Sequence, residues 1–425
     1  MKTLHLSTYD SGGAGKAAYR IHCGLKQAKV DSKMLVLRRS SQDCDVVELT
    51  ESDSLVTRFK NKIKKKLIFR EIKGQQRKQK EELIFSNERS IYRLKRQPVV
   101  REAEVINLHW VVKMVDYKDF FLNLGPKPIV WTLHDHNPFT GGCHCLEGCN
   151  KYEIGCGYCP QLGSRKNRDL SRKILERKKK VLEKANINIV APSFWLAEQA
   201  RQSQLFKDCP IKVIPHGVPI NVFIKKDRFK SRNLLGLPQD KTIILFGADY
   251  KSKNKGFQYL VEALSILGQK INTSKLALVI FGAKQDIEDK LRRSDLAIYQ
   301  LGYFYDEESL ANVYSAADVV VIPSLEEAFG LLLLESMACG IPAVAFNIGG
   351  INEIMVPNET GLWAEVKNSQ ELAAKIAWLI NHPQERQRLG HHARERVEKK
   401  YALKNQVAHY INLYQEIIGK PEKNF

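Results

Sequence analysis

The chain has 425 residues, of which 44% are hydrophobic and 27% charged, and its formal net charge at pH 7 is +20. This length favours two domains over one compact core. The composition is typical of a globular protein, and no apolar run approaches the roughly 20 residues of a membrane-spanning helix. The first residues lack the apolar core of a secretory signal, so we expect a cytoplasmic protein.

The chain opens with a predicted strand over Lys2–Thr8, a glycine-rich turn over residues 9–16 and a helix over Ala17–Ala28. A glycine-rich turn between the first strand and the first helix lets a ligand approach the backbone. A phosphate-binding P-loop is excluded, because it needs Gly at position 10 and Ser or Thr at position 17, where Asp10 and Ala17 stand. A tight turn with a purely structural role is the alternative.

A strongly basic segment occupies residues 58–96. Eleven Lys or Arg residues occur over Arg58–Lys80 against the single acid Glu71, with apolar residues interleaved. This mixture predicts a basic amphipathic helix or loop at an anionic membrane surface, where each basic residue contributes about 1 kcal/mol. A solvated charged face is the alternative. Nucleic acid is not the expected partner, because no RNA-binding or zinc-finger pattern accompanies the charge.

Further strands of the first sheet are predicted over Met34–Leu37, Val105–Trp110 and Pro128–His134. The last of these ends in His134, which is followed by Asp135. A histidine at the end of a strand can contact a substrate, with the neighbouring carboxylate orienting its ring. A hydrogen-bonded structural histidine is the alternative.

A cysteine-rich insertion is predicted over residues 139–162, with five cysteines within seventeen residues. The spacing Cys156-x-x-Cys159 is typical of tetrahedral zinc sites, and Cys143 and Cys149 complete a set of four. Cys145 or His144 could substitute for either. The alternatives to a structural zinc site are free thiols and a redox dithiol.

The C-terminal half contains a β-branched run, Val319–Ile322, that predicts a buried parallel strand. A polar turn with Glu327 follows, and then an apolar run over Phe329–Ala338 that predicts a helix carrying Glu335. The backbone N–H groups of three residues at the start of this helix favour an anion such as a phosphate. These residues are Phe329, Gly330 and Leu331.

These residues resemble the donor-site signature of a known enzyme family. Glu327 to Glu335, the following Ser-Met-Ala-Cys-Gly-Ile-Pro, Gly349-Gly350-Ile-Asn-Glu353 and Asn358 to Leu362 match the retaining glycosyltransferases of the GT-B class called family 4. The resemblance covers most of the C-terminal half. The cysteine pattern is similar to an insertion in an exopolysaccharide subgroup of this family.

The resemblance implies an α/β protein with two Rossmann-like, doubly wound domains that face each other across a cleft. Residues 1–218 would form the acceptor-binding domain, 219–400 the nucleotide-sugar-binding domain, and 401–425 a helix that packs back toward the first domain.

Site roles also follow from the resemblance. Gly12 and Gly13 would face the donor phosphates and the acceptor, and His134 would lie beside the transferred sugar. Lys255 would bind the diphosphate. Glu335 would bind the ribose and Glu327 the sugar. The family's second cation, an Arg after the glycine of the preceding strand, is missing here, and Lys251 or Lys253 would replace it.

The implied activity moves a hexose from a UDP or GDP sugar to a hydroxyl group of a glycan or polyprenyl-diphosphate-linked acceptor, in surface polysaccharide synthesis. No catalytic metal is expected, because Lys255 and helix N–H groups can stabilise the diphosphate. The basic segment predicts peripheral binding to the inner face of the cytoplasmic membrane. Two alternatives are a nucleotide-sugar epimerase of the same fold and a zinc-bearing nucleic-acid-binding protein, which leaves Glu327 and Glu335 unexplained.

Overall fold

The computed structural model describes residues 1–50, 55–76, 84–247, 253–282 and 296–419. The chain forms two compact units: unit 1 consists of Met1–Pro215 and Gln406–Phe425, and unit 2 of His216–Asn405. The divisions thus fall after residues 215 and 405, where the sequence predicted 218 and 400. The reason is local pairing: Val218 N–H donates to Tyr401, and Leu403 N–H donates to Val218, so both segments belong to unit 2.

Unit 1 contains a sheet of seven parallel strands in the order β3-β2-β1-β4-β5-β6-β7. The central strands are buried on both faces, as expected for parallel strands covered by helices. The strands are β1 (Lys2–Tyr9), β2 (Asp31–Arg38), β3 (Val46–Glu48), β4 (Val105–Leu108), β5 (Ile129–Thr132), β6 (Ile187–Ala191) and β7 (Ile211–Val213).

Six helices precede the last strand of unit 1 in the described part of the chain. They are α1 (Gly12–Gln27), α2 (Leu55–Gln76), α3 (Pro98–Glu102), α4 (Tyr117–Asn123), α5 (Leu170–Leu182) and α6 (Phe194–Gln202). Helix α1 begins at Gly12, whereas the sequence predicted a start at Ala17, so the glycine-rich turn forms the first turn of the helix itself. Gly15 allows the first turn of α1 to lie close to the end of β1, since a Cβ at this position would lie 2.6 Å from the carbonyl oxygen of Tyr9.

Unit 2 contains a sheet of six parallel strands in the order β10-β9-β8-β11-β12-β13. The strands are β8 (Thr242–Gly247), β9 (Leu276–Phe281), β10 (Ala297–Gln300), β11 (Val319–Ile322), β12 (Ala343–Phe346) and β13 (Gly361–Ala364). The helices around them are α7 (Arg228–Leu235), α8 (Phe257–Gly268), α9 (Glu307–Ala316), α10 (Leu331–Ala338), α11 (Ile351–Ile354), α12 (Ser369–Asn381) and α13 (Pro383–Lys400).

The final helix is α14 (Leu403–Ile418). The backbone pairing of Val218 with Tyr401 and Leu403 separates α14 from α13. From Gln406 onward the chain belongs to unit 1. There the hydroxyl groups of two buried tyrosines are hydrogen-bonded to the sheet, Tyr410 to Thr132 at 2.8 Å and Tyr414 to Asn107 at 2.8 Å.

Each sheet has one point at which the strand order reverses. In unit 1 it lies between β1 and β4, and in unit 2 between β8 and β11. Ligands of open parallel α/β sheets bind beyond the carboxyl ends of the strands at such a switch point. The fold therefore directs attention to the segments that follow these four strands. None of the helices in the described residues is long and apolar enough to cross a membrane.

Candidate functional site

In unit 2, the segment after β8 holds Lys255 at the switch point. Lys255 ends a short 3-10 turn, Lys253–Lys255, and the following Gly256 has a φ of 65°. A Cβ at Gly256 would lie 1.8 Å from the carbonyl oxygen of Pro323, the residue after β11. Glycine thus lets the segment after β8 lie against the segment after β11.

This packing brings together two residues whose predicted roles were separate. Lys255 Nζ lies 2.5 Å from Glu327 Oε1, and Ser324 Oγ donates to the same oxygen at 3.0 Å. Lys255 is about one-third exposed and Glu327 is more buried, so the pair lies at the surface of the edge. The cation proposed for the diphosphate and the carboxylate proposed for the sugar are therefore bonded to each other in this structure.

Two glycines after β12 fix the loop that carries Glu327. Gly350 N–H donates to the carbonyl oxygen of Glu327 at 3.0 Å. Any side chain would prevent this contact, because a Cβ at Gly349 would lie 2.3 Å from that same oxygen and a Cβ at Gly350 would lie 2.6 Å from Phe329 Cα. The Gly349-Gly350 pair is thus a backbone support for the Glu327 loop.

Helix α10 begins at Leu331, two residues later than predicted, because Gly330 has a φ of 109° and acts as the residue before the helix. Phe329 and Gly330 therefore belong to the loop. The N–H groups in the first turn of a helix have no partner within the helix and favour an anion. Leu331 begins that turn at the same edge as Lys255.

Glu335 lies on α10 but is only 5% exposed. Its carboxylate accepts a hydrogen bond of 2.8 Å from the hydroxyl group of Tyr314, a buried residue of α9. A buried carboxylate requires such donors. Ribose hydroxyls were the expected partners of this carboxylate, and the structure shows that the protein itself supplies one donor.

In unit 1, the segment after β1 is open at two of its three glycines. A Cβ at Gly12 or Gly13 would meet no atom within 4 Å, whereas Gly15 is packed against the strand. The first turn of the sixteen-residue helix α1 is thus unobstructed on the side of these two Cα atoms. Asp10 does not face this space freely, because its carboxylate accepts hydrogen bonds from the backbone N–H groups of Ser40 and Ser41.

His134 lies just after β5 and is half-buried. Its Nε2 atom lies 3.0 Å from Nδ1 of His109, which follows β4. Burial lowers the pKa of His134 to about 4, so its ring is neutral at pH 7. A neutral imidazole has one hydrogen-bond donor and one acceptor.

The expectation that Asp135 orients His134 is not supported, because the Asp135 carboxylate is engaged elsewhere. It lies 2.6 Å from His144 Nδ1 and accepts a hydrogen bond of 2.8 Å from Trp110 Nε1. Consecutive residues leave a strand end in different directions. The neighbour of the His134 ring is instead His109.

Two further histidines, to which the sequence pattern gave no functional role, continue the contact of His134. They are His109 and the fully buried His5 of β1, whose Nδ1 lies 2.9 Å from His109 Nε2. The available signal was one histidine on or just after each of three predicted strands. Only the strand order β1-β4-β5 reveals that these three histidines are neighbours.

Four cysteines line one small cavity, as their spacing suggested: Cys143, Cys149, Cys156 and Cys159. Cys156 lies in a strained turn with a φ of 59°, and Gly141 N–H donates to its sulfur. A tetrahedral zinc site would hold the sulfurs roughly 3.8 Å apart, given the Zn–S distance of about 2.3 Å. No three of the four sulfurs lie within 4.8 Å of one another.

Among the described residues, only two groups of three side chains have ligand atoms within 4.8 Å of one another, and neither includes these four cysteines. They are His391, His392 and Glu395, and Asp43, Cys44 and Asp45. The cysteine set has the right residue types and converges on one cavity, but it would have to contract to bind zinc.

Of the two lysines proposed to replace the missing second cation, one lies in the described residues. Lys253 is exposed in the turn before Lys255. Lys251 lies outside the described residues, as do Arg77, Lys78 and Lys80 of the basic segment.

Residues 227–396 match the model of the family described as glycosyl transferases group 1. The glycosyltransferase MJ1607 of Methanocaldococcus jannaschii is 32% identical over 225 residues, which cover 49% of this chain and 56% of that protein. The D-inositol 3-phosphate glycosyltransferase of Paenarthrobacter aurescens is 30% identical over 224 residues, covering 49% of this chain and 52% of that protein. The chain thus spans about half the length of these relatives.

Solved structures resemble the whole chain. Sucrose-phosphate synthase from Thermosynechococcus elongatus has a TM-score of 0.66 at 20% identity, covering 98% of this chain and 99% of that one. Anabaena HepE in complex with UDP and glucose has a TM-score of 0.65 at 17% identity, with the same coverages. At these identities the likeness shows the fold, which is the GT-B fold predicted from the sequence.

Proposed function

We propose that the protein is a retaining glycosyltransferase that moves a hexose from a nucleotide diphosphate sugar to a hydroxyl group of a glycan or polyprenyl-diphosphate-linked acceptor in surface polysaccharide synthesis. The main support is the edge of unit 2. There Lys255, Glu327 and the start of α10 lie together at the switch point, inside the region that matches the family model. UDP or GDP is the expected nucleotide, and HepE, which has the same fold, was solved in complex with UDP and glucose.

The Lys255–Glu327 ion pair suggests how the donor is received. A diphosphate would draw the Lys255 ammonium away from Glu327, and this carboxylate would then accept hydrogen bonds from hydroxyls of the sugar. Positive charge beside the departing diphosphate stabilises the transition state more than the ground state. On this proposal the ion pair keeps both side chains in position until the donor binds.

The test is calorimetry with UDP, GDP, ADP and their sugars on the wild type and on Glu327→Gln. We expect one nucleotide series to bind. The variant should bind the free nucleotide as the wild type does, but it should lose the additional affinity for the nucleotide sugar. If no nucleotide binds at millimolar concentration, the proposal fails. Release of an epimerised sugar without any acceptor would identify an epimerase instead.

We also propose that α2 binds an anionic membrane surface. Phe59, Ile63 and Leu67 are spaced four residues apart, so they form a stripe along one face, and they are 66%, 47% and 61% exposed. Exposed basic residues flank this stripe: Lys60, Lys62, Lys64, Lys66 and Arg70. On another face of α2, Ile72 packs against a buried cluster of unit 1. The helix is thus held while its apolar stripe faces outward.

Sedimentation with vesicles that contain about one-third anionic lipid tests this proposal. Replacing Phe59, Ile63 and Leu67 together by Ser should lower the fraction bound about tenfold or more, because both apolar burial and charge attraction hold such a helix. A matched control replaces Phe229 and Leu234, which are equally exposed in unit 2, by Ser. Equal losses in both variants, or no binding of the wild type at low salt, would contradict the proposal.

A structural zinc ion bound by the four cysteines is a further proposal, supported by their convergence on one cavity. Elemental analysis of the purified chain should find about one zinc per molecule. Cys156→Ser should abolish it, while Cys209→Ser, a half-buried cysteine outside the cluster, should retain it. A wild type without zinc after expression in zinc-supplemented medium would refute the site.

A further inference from the structure

Three imidazole rings form a hydrogen-bonded row across the unit 1 sheet. His5 Nδ1 lies 2.9 Å from His109 Nε2, and His109 Nδ1 lies 3.0 Å from His134 Nε2. His5 is 0% exposed and His109 2% exposed, while His134 is half-buried. The row therefore runs from the interior of the sheet to one partly accessible ring at its carboxyl edge.

The proton positions in such a row are coupled. Burial lowers the pKa of His5 to about 3 and that of His134 to about 4, so both rings are neutral at pH 7. Burial of His109 likewise disfavours an imidazolium ion between them. Each contact between neutral rings needs one N–H group and one lone pair, so the tautomer of one ring fixes the tautomers of the other two.

The N–H groups can donate along the row either from His5 toward His134 or from His134 toward His5, and the buried end of the row decides between these two directions. His5 Nε2 is buried and has no hydrogen-bond partner. If the row ran from His134 to His5, this atom would carry a buried N–H group without an acceptor. Buried N–H groups without partners are rarer than buried acceptors without partners, and each costs about 1–3 kcal/mol.

We infer that the row is polarised toward the edge of the sheet: His5 Nδ1–H donates to His109, His109 Nδ1–H donates to His134 Nε2, and His134 carries its proton on Nδ1. All three rings then share the Nδ1–H tautomer. His5 and His109 are positioning residues that act through His134.

The consequence for sugar transfer rests on the proposed function. The Nε2 lone pair of His134 accepts from His109, and Nδ1 carries the proton, so the neutral ring has no nitrogen left to take a proton from the acceptor hydroxyl. His134 is instead a fixed hydrogen-bond donor, suited to a hydroxyl or ring oxygen of the transferred sugar.

The decisive measurement is long-range ¹H–¹⁵N correlation NMR on the full chain with ¹⁵N-labelled histidine at pH 7, without ligand. Variants at each position assign the three rings. We expect a protonated Nδ1 and an unprotonated Nε2 in His5, His109 and His134. A protonated Nε2 on His134, or two protonated nitrogens on His109, would overturn the inference.

Variants of His5 then test the positioning role. His5→Phe removes the donor to His109, so His134 should populate both tautomers and kcat should fall about fivefold or more with the donor KM within twofold. His5→Asn restores an N–H group at the position of Nδ1 and should recover most of kcat. His22→Phe is the matched control, since this buried ring lies 6.2 Å from His5 but bonds to Ser32.

An unchanged His134 tautomer in a folded His5→Phe variant would contradict the inference, whatever the activity. The NMR measurement uses the protein without substrate, so its outcome is separate from that of the proposed function. If the tautomers are as inferred but no sugar is transferred, the histidine row is supported and the transferase proposal fails. If sugar is transferred but His134 carries its proton on Nε2, the transferase proposal is supported and the inference about the row fails.

Discussion

The edges of the two sheets carry side chains of different chemistry. At the edge of unit 2 the central groups are charged, with Lys255 bonded to Glu327 beside the start of a helix. At the edge of unit 1 they are neutral, with the ring of His134 bonded to the ring of His109. A cation and helix N–H groups suit a diphosphate, whereas neutral rings suit sugar hydroxyls. The comparison predicts that unit 2 governs nucleotide affinity and unit 1 the transfer step.

The two edges also differ in how they are held. The unit 2 edge depends on close backbone contacts, where Gly256, Gly349 and Gly350 let three loops touch. The unit 1 edge depends on side chains, because a row of histidines joins three neighbouring strands. An edge of buried neutral imidazoles should lose stability in acid, because the unfolded chain takes up protons that the folded rings do not.

The largest effect should follow from removing the unit 2 cation. Lys255→Ala should lower kcat/KM about 10²- to 10³-fold, or roughly 3–4 kcal/mol, because charge stabilisation at the diphosphate is lost. Lys230→Ala, which removes an exposed lysine of α7 in the same unit, serves as the control. Steady-state kinetics and calorimetry would check both variants. Equal effects of the two would mean that only the general positive charge of unit 2 matters.

A fall in pH should destabilise unit 1 more than unit 2. The folded pKa of His5, about 3, and of His134, about 4, lie below the ordinary value of 6.5, so the unfolded chain binds protons that the folded chain does not. Their contribution is fully present above pH 6.5 and is lost as the pH falls toward 4. Between pH 7 and pH 4 the free energy of unfolding of unit 1 should fall by roughly 3 kcal/mol for each ring, or about 6 kcal/mol for the two together.

Hydrogen exchange by mass spectrometry would locate this loss of stability. Peptides of β1, β4 and β5 should lose protection earlier than those of β8 and β11 as the pH falls. In His5→Phe the slope of stability against pH should be shallower, since one of the titrating groups is gone. A uniform loss of protection across both sheets would remove the contrast between the edges.

The difference between the edges explains what could be predicted from the sequence. The β-branched run of β11, the loop with Glu327 and the glycines after β12 are each encoded within a few residues, so these parts of the unit 2 edge could be predicted from local pattern. The Lys255–Glu327 contact spans 72 residues and was not predicted. The His5–His109 contact spans 104 residues and depends on strand order, which no local pattern contains. The same holds for Tyr314, which reaches Glu335 from another helix. Asp135 was assigned to His134 because adjacent residues were assumed to interact.

The smallest predicted effect tests whether the fold or the ligand holds Glu335. Tyr314→Phe removes the hydroxyl donor 2.8 Å from this buried carboxylate and should lower the free energy of unfolding of unit 2 by about 1–2 kcal/mol. If the Glu335 carboxylate turns to the ribose when the donor binds, the hydroxyl group of Tyr314 competes with the ribose for this carboxylate. Tyr314→Phe should then bind the nucleotide as tightly as the wild type or slightly more tightly, whereas Glu335→Ala should lose affinity. Chemical denaturation and calorimetry give the two readings. A Tyr314→Phe variant that loses both stability and nucleotide affinity would mean that Glu335 binds the nucleotide only while Tyr314 holds its carboxylate. This part of the unit 2 edge would then depend on a side chain distant in sequence, as the unit 1 edge does.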